Sequence, residues 1–158
     1  MQEYKILVVD DETDFVQSLT DRLEMRKMKA DVAFNGEDAL QKIADDEPEV
    51  MVLDLKMPGM DGLEVLQRVK NAYPTTQVII LTGHGSDDSR EKARKMGAYA
   101  YLEKPVEMDT LMATIGKAYG NFKKIKRNVD TALMGAALSA AGEPEMARQV
   151  MAEEFIKD

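Results

Sequence analysis

The chain has 158 residues, of which 44% are hydrophobic, and it carries a net charge of −8 without any cysteine. This length fits one domain with a short appendage, and the absence of thiols excludes disulfides, thiolate catalysis and cysteine-ligated zinc. The negative charge argues against nucleic-acid binding by the body of the chain. Since there is no basic, apolar leader and no apolar run near the ~20 residues that cross a bilayer, we expect a cytoplasmic protein outside the membrane.

Short apolar runs alternate with longer amphipathic stretches, a pattern typical of βαβ units. The runs predict five strands, at Lys5–Val9, Ala30–Phe34, Glu49–Leu53, Val78–Leu81 and Tyr99–Leu102. Between and after them, apolar residues at helical spacing predict five helices. Their predicted inner faces are Phe15, Leu19 and Leu23; Ala39, Leu40 and Ile43; Leu63, Leu66 and Val69; Ala93 and Met96; and Leu111, Met112 and Ile115.

This alternation predicts an α/β fold, because parallel strands need crossover helices and the crossovers are right-handed. We expect a doubly wound, five-stranded parallel sheet in the flavodoxin-like order 2-1-3-4-5. Asn35 is the predicted cap of the second helix, and Gly97 is the predicted end of the fourth. In such sheets the ligand site lies beyond the carboxyl ends of the strands.

Polar residues stand at four of those strand ends. The first strand leads into Asp10 and Asp11, the third into Asp54, the fourth into Thr82, and Lys104 follows the fifth. Each residue alone also fits a local role, as an exposed turn, a cap, a β-favouring threonine or a solvated lysine. The topology nevertheless predicts that all of them surround one pocket.

Carboxylates gathered so closely need a cation. Two negative charges about 4 Å apart repel by roughly 4 kcal/mol at an effective dielectric constant of 20. Because the donors are all oxygen, Mg²⁺ fits best. A carboxylate beside Mg²⁺, a hydroxyl and an ammonium can also attack phosphorus, and Asp54 is the predicted nucleophile because it ends the central third strand. Thr82 would donate to a phosphoryl oxygen, and Lys104 would offset the charge of the transferred group.

Four motifs carry a resemblance to a known family. They are VVDDE in the first strand, LDLKMPGMDGLEVL at 53–66, IILTGHG at 79–85 and YLEKP at 101–105. In this order and spacing, residues 3 to about 119 resemble the receiver domain of bacterial two-component response regulators, in the CheY-like superfamily. The resemblance implies that a histidine kinase or a phosphotransfer protein phosphorylates Asp54.

The resemblance also implies individual roles. Asp11, Asp54 and the backbone carbonyl of Lys56 would bind Mg²⁺ directly, and Asp10 would act chiefly through water. Thr82 would be the switch hydroxyl, Lys104 would pair with the phosphate, and the peptide before Pro105 would be cis. Tyr101 falls on the switch aromatic, whose movement would remodel the face formed by helix four, strand five and helix five. A tyrosine packed at a sheet edge is the simpler interpretation of Tyr101.

The remaining residues suggest two domains, a receiver at 1–119 and a helical extension or linker at 120–158. Helical spacing predicts that the fifth helix continues or restarts after Gly120, and that a last helix with Met146, Val150 and Phe155 follows a break at Ala141–Pro144. The basic run KKIKR at 123–127 is either a solvated helix face or a contact for nucleic acid or an acidic partner. The tail shows no recognition helix, so we expect no direct DNA binding.

Three functions compete. The first is a single-domain response regulator that forms a homodimer or binds a partner through the face of helix four, strand five and helix five, or through its C-terminal helices. The second is the receiver and linker of a longer, sigma-54-type transcriptional regulator. The third is a phosphotransfer or flavin-binding enzyme on the same fold. We expect no turnover enzyme, because the Asp-x-Asp of haloacid-dehalogenase phosphatases and the Ser/Thr/Gly-rich loop of flavodoxins are both absent after the first strand.

Overall fold

A computed structural model describes residues 4–140, with side chains as far as Gly135. The chain divides into two compact units, Met1–Gly120 and Asn121–Asp158. Every predicted strand is present, and its ends lie within one residue of the predicted ones. The strands are β1 Lys5–Val9, β2 Lys29–Ala33, β3 Val50–Leu53, β4 Gln77–Thr82 and β5 Ala100–Glu103. The helices are α1 Thr13–Met25, α2 Gly36–Asp45, α3 Gly62–Ala72, α4 Asp87–Lys95 and α5 Met108–Ala140.

The strands form one parallel sheet in the order β2-β1-β3-β4-β5. Val9 at the end of β1 is in register with Leu53 at the end of β3. On the other side of β3, Leu53 is in register with Ile80 of β4. The predicted doubly wound α/β fold is therefore confirmed, and the carboxyl ends of β1 and β3 lie side by side in the middle of one edge.

Two apolar layers cover the sheet, because successive residues of a strand point to opposite faces. Leu7 and Val9 of β1 lie in the layer that packs against α2, α3 and α4. Ile6 and Val8 lie in the layer that packs against α1 and the first part of α5. Both faces of the central strands are thus covered, as parallel sheets require, and polar side chains enter this core mainly at strand ends.

The inner faces of α1 and α3 differ from the predicted ones at the helix starts. Val16 takes the core position that was predicted for Phe15, and Phe15 is only half-buried. In α3, Val65 is fully buried while Leu63 is half-buried. In a helix of 3.6 residues per turn, the four-residue spacing predicted for α1 drifts by about 40° per step, and the three-residue spacing predicted for α3 drifts by about 60° in the opposite direction. One spacing therefore cannot describe a whole stripe.

Two predicted helix ends are confirmed. Asn35 precedes α2, and its side chain accepts a hydrogen bond from Asp38 N at 2.8 Å. Gly97 follows α4 with φ +99°, a left-handed conformation that glycine adopts without a side-chain penalty. The Lys104–Pro105 peptide is cis, as the family resemblance implied.

Helix α5 continues through Gly120 without restarting and runs from Met108 to Ala140. Within the second unit, Val129, Leu133 and Met134 are exposed on this helix. The predicted break at 141–144 and the predicted last helix lie outside the described residues. Within residues 4–140, no helix combines the length and the apolar character that crossing a bilayer requires.

Candidate functional site

Four of the predicted site residues lie at the ends of neighbouring strands. Asp10 follows β1 and Asp54 follows β3, and each backbone amide still donates to a carbonyl of the neighbouring strand, at 3.1 Å for Asp10 and 2.9 Å for Asp54. Thr82 is the last residue of β4, and its carbonyl accepts a hydrogen bond from Lys104 N at 2.9 Å. The sheet therefore fixes the backbone of all four residues.

Three carboxylates form a tight cluster in this place. Asp10 and Asp54 are only 2% and 3% exposed, and one oxygen of each lies within 4.8 Å of the others and of a Glu12 oxygen. Glu12 is itself exposed, and its backbone amide donates to Asp10 Oδ1 at 2.9 Å. Negative charges this close repel strongly in a partly buried site, so the cluster favours a bound cation.

The Lys104 ammonium already lies among these acids. Its Nζ is 2.7 Å from Asp10 Oδ2, 2.9 Å from Glu12 Oε1 and 3.9 Å from Asp54 Oδ2. It also lies 4.7 Å from the centroid of the Phe15 ring, whose π-face attracts a cation. Asp54 is thus the most distant of the three carboxylates that surround this ammonium.

Burial and pairing shift the acidity of two of these groups. Burial raises the pKa of Asp10 above its usual value, and the hydrogen bond from Lys104 lowers it only in part. Burial alone would lower the pKa of Lys104, but its bonds to Asp10 and Glu12 and the charge of Asp54 together raise it above its usual value. Lys104 is therefore a permanent cation at neutral pH, able to hold an anionic group at this edge of the sheet.

An open pocket of about 470 Å³ gives access to the cluster. It is lined by Asp11, Glu12, Asp54, Lys56, Met57, Pro58 and His84. Asp11 is exposed in the pocket wall and does not belong to the tight carboxylate cluster. Lys56 N lies 3.3 Å from Asp54 Oδ1, which accepts a hydrogen bond from it. A phosphoryl donor can therefore reach Asp54 from the solvent although the side chain is almost buried.

The donor set fits magnesium. Six-coordinate Mg²⁺ holds oxygens roughly 2.1 Å away, so its ligands lie about 3 to 4 Å from one another. The oxygens of Asp10, Glu12 and Asp54 lie within 4.8 Å of each other, which is close to that spacing. Oxygen-only ligands select hard cations such as Mg²⁺ over softer metals. The residues present therefore suit the metal that the sequence predicted.

The two predicted switch residues have different surroundings. Thr82 is fully buried, and its Oγ1 accepts a hydrogen bond from His84 N at 3.2 Å. Tyr101 lies on β5 opposite Ile80 and is half-buried. Its hydroxyl lies 2.7 Å from Ser89 Oγ, at the start of α4. The roles of both residues stay predictions.

Sequence reasoning missed two residues that contact Lys104. Glu12 stands next to the predicted acids, and its place beside Asp10 and Asp11 was the available signal. Phe15 was assigned to the core by its helical spacing, and spacing alone gives no sign of an ammonium over its ring.

Comparison with known proteins gives one family. The model of the response regulator receiver domain matches residues 6–116. The chain is similar to the DNA-binding transcriptional regulator NtrC of Escherichia coli K12, with 32% identity over 143 residues, 90% of this chain and 30% of that protein. It is also similar to a putative NtrX-like response regulator of Rickettsia bellii, with 36% identity over 127 residues, 79% of this chain and 27% of that protein. The chain thus spans less than a third of the length of these two relatives.

Solved structures agree with this family. A CheY-like receiver domain protein from Methanospirillum hungatei JF-1 has a TM-score of 0.76 and 28% identity, covering 78% of this chain and 98% of that chain. NtrX from Brucella abortus has a TM-score of 0.74 and 33% identity, covering 82% of this chain and 29% of that chain. With the acidic pocket, the sheet order and these matches all in agreement, this chain belongs to the response regulator receiver domain family.

Proposed function

We propose that this chain is a phosphorylation-dependent signalling switch, in which a sensor histidine kinase or a phosphotransfer protein donates a phosphoryl group to Asp54. The observation that supports this most directly is the setting of Asp54. Its carboxylate is 3% exposed, lines an open pocket and lies 3.9 Å from a lysine ammonium. Membership of the receiver family supports the same class of donor.

The chemistry is a transfer between two protein side chains. An oxygen of the Asp54 carboxylate forms a bond to phosphorus while the P–N bond of a phosphohistidine breaks, and the released imidazole takes up a proton. Lys104 binds a phosphoryl oxygen, and the Thr82 hydroxyl donates to another. The chain assists its own phosphorylation and dephosphorylation and does not turn over an external substrate.

Mg²⁺ is the proposed cofactor, with Asp10, Asp11, Asp54 and the Lys56 carbonyl as its binding residues. When bound, it supplies positive charge that offsets the charge of the phosphoryl oxygens. Glu12 is a further carboxylate close to two members of this set, Asp10 and Asp54.

The proposed output is a change of surface. Thr82 and Tyr101 act as the switch, and the face of α4, β5 and the start of α5 changes when Asp54 is phosphorylated. We assign residues 1–119 to a cytoplasmic receiver domain and 120–158 to a helical extension, and we propose that neither contacts DNA directly.

A second candidate function has specific support. The match to NtrC covers 90% of this chain and only 30% of that regulator. The chain therefore also fits the receiver and linker of a longer, sigma-54-type transcriptional regulator. In that protein, DNA binding would belong to another region, and the chemistry at Asp54 would be the same.

Incubation with acetyl phosphate and Mg²⁺, followed by mass spectrometry of the intact protein, tests the phosphorylation. We expect one added phosphoryl group, none after removal of Mg²⁺ with EDTA, and a rate at least about 100-fold lower for Asp54→Asn. Asp61→Asn is the matched control, because Asp61 is an exposed carboxylate that caps α3 and Asn caps equally well. Unchanged phosphorylation of Asp54→Asn would contradict the proposal, and steady phosphate release by that variant would favour an enzyme.

Self-association is the proposed use of α5 beyond Gly120, because Leu133 and Met134 are 65% and 56% exposed there. Light scattering of the full chain, with and without acetyl phosphate, should show a dimer in at least one condition. Leu133→Glu should shift the mass toward the monomer, whereas Asp130→Asn, also an exposed position of this helix, should not. A monomer mass in every sample would contradict this part of the proposal.

A further inference from the structure

The Tyr101 ring is held against the start of α4 by two contacts, and a glycine leaves space for it. Its hydroxyl lies 2.7 Å from Ser89 Oγ. The guanidinium carbon of Arg90 lies 4.7 Å from the ring centroid, where a cation is attracted to the π-face. Gly85 leaves room for the ring, because a Cβ there would come within 2.6 Å of the hydroxyl oxygen. The ring therefore occupies a site shaped by the residues around it.

Ser89 also belongs to the cap of α4. Its Oγ accepts a hydrogen bond from Ser86 N at 3.0 Å, and its backbone amide donates to Ser86 Oγ at 3.1 Å. These two bonds form the capping box of the helix. Ser89 Oγ also lies 3.0 Å from Ser86 O, to which it can donate. Ser86 Oγ lies 3.2 Å from the same oxygen, and in the pair with Tyr101 either hydroxyl can be the donor.

We infer that Ser89 is a positioning residue for Tyr101, which ties the place of the ring to the first turn of α4. One oxygen atom completes the helix cap and holds the tyrosine hydroxyl. A movement of the ring therefore removes a hydrogen bond from the capped end of α4, and loss of the Ser89 hydroxyl removes a contact that holds the ring. This role follows from the contacts of Ser89 with Ser86 and Tyr101.

The consequence for the switch rests on the proposed function. The Ser89 contact stabilises the ring position seen here, so its loss favours every conformer in which the ring has moved. If phosphorylation of Asp54 accompanies such a movement, Ser89→Ala should raise the rate of phosphorylation by acetyl phosphate. A single neutral hydrogen bond corresponds to a change of about 3- to 10-fold.

The first arm of the test needs no phosphorylation. NMR spectra of the full chain with labelled tyrosine are compared for Ser89→Ala and Ser86→Ala. Both substitutions damage the capping box, but only the first removes the contact to Tyr101. We expect Ser89→Ala to shift or broaden the ring signals of Tyr101, Ser86→Ala to leave them close to those of the parent, and Ser89→Thr to restore them. Equal shifts in the two alanine variants would overturn the inference, because they would show only a helix-capping role.

The second arm is a double-mutant cycle on the phosphorylation rate. We expect the increase from Ser89→Ala in the parent chain to vanish in a Tyr101→Phe background, since Phe has no hydroxyl to hold. An equal change in both backgrounds, no change in the parent, or a decrease would overturn the inference. If the parent chain accepts no phosphoryl group, the proposed function fails, and the NMR arm still decides the role of Ser89.

Discussion

Strands β4 and β5 lie side by side in the sheet, but their surroundings differ. All six residues of β4 are buried, whereas none of the four residues of β5 is. The same difference separates the helices nearby. α3 buries Gly62, Val65, Leu66 and Val69, while Ala93 is the one buried residue of α4.

The two regions also carry different parts of the proposed function. Asp10, Asp54 and Thr82 stand at the ends of β1, β3 and β4, which are held by apolar layers on both faces. Tyr101 and Ser89 lie in the thinly packed region of β5 and α4. Segments with few buried apolar contacts open at lower free energy than a packed core. The comparison therefore separates a packed region around β1, β3, β4 and α3, which holds the residues of the proposed chemistry in place, from a thinly packed region of β5 and α4, which can change shape.

The largest expected effect is a cavity in the packed region. Leu66→Ala should lower the free energy of unfolding by about 2 to 5 kcal/mol, because Leu66 is completely buried and its neighbours cannot fill the space. In α4, Ala93→Gly should lower it by only about 1 to 2 kcal/mol, from one lost methyl group and the lower helix propensity of glycine. Urea unfolding followed by circular dichroism measures both. Equal losses would remove the distinction between the two helices.

The sequence predicted the strands better than the contacts between separate elements. Buried strands carry continuous apolar runs, so β1, β3 and β4 and the residues at their ends could be read directly. Contacts between separate elements left no such pattern. The Glu12 bond to Lys104 and the Ser89 contact to Tyr101 join residues 92 and 12 positions apart. Periodicity assigns a side chain to a face, but it does not say which polar group of another element it meets.

The next prediction tests the packed region at the backbone beside Asp54. A Cβ at Gly62 would come within 2.5 Å of Leu55 Cα and 2.7 Å of Asp54 O, which are backbone atoms. Gly62→Ala should therefore lower the free energy of unfolding by about 1 to 3 kcal/mol and slow the phosphorylation of Asp54. Gly83→Ala is the control, because its Cβ would meet nothing closer than 3.9 Å. If Gly62→Ala changed neither the free energy of unfolding nor the rate of phosphorylation, the backbone beside Asp54 would be able to shift at little cost.

In the same region, burial of the charged Asp10 carboxylate should lower the free energy of unfolding. The pKa of Asp10 is raised in the folded chain, chiefly by burial. The free energy of unfolding therefore falls as the pH rises from the pKa of Asp10 in the unfolded chain to its pKa in the folded chain. Above the folded pKa, this group lowers it no further. In EDTA at pH 7, Asp10→Asn should therefore raise the melting temperature, because it removes the buried charge.

The pH dependence makes that prediction specific. The advantage of Asp10→Asn should shrink as the pH falls through the raised pKa, because the parent side chain then carries a proton and is neutral as well. Asp11→Asn is the matched control, since Asp11 is exposed and lies outside the tight cluster. A lower melting temperature for Asp10→Asn at pH 7 would mean that its ion pair with Lys104 outweighs the penalty of burial.

The smallest effect on the free energy of unfolding is expected in the thinly packed region of β5 and α4. Arg90 covers the Tyr101 ring at 4.7 Å and lies 3.4 Å from Glu103 Oε1. Both contacts are solvent-exposed, so Arg90→Ala should change the free energy of unfolding by less than about 1 kcal/mol. Its effect should instead be local, as faster hydrogen exchange of the amides in α4, with exchange in α3 unchanged. Arg94→Ala is the matched control on the same helix, because Arg94 pairs with Glu91 and has no ring beneath it.

The local readout decides how α4 is held. If Arg90→Ala speeds exchange in α4 more than Arg94→Ala does, the contact with Tyr101 keeps this helix closed, because both variants lose one exposed ion pair. Equal exchange in the two variants would mean that the apolar contact of Ala93 and the Ser86–Ser89 cap suffice. Faster hydrogen exchange in α3 as well would show that α3 and α4 open together. The packed and the thinly packed regions would then form a single cooperative unit.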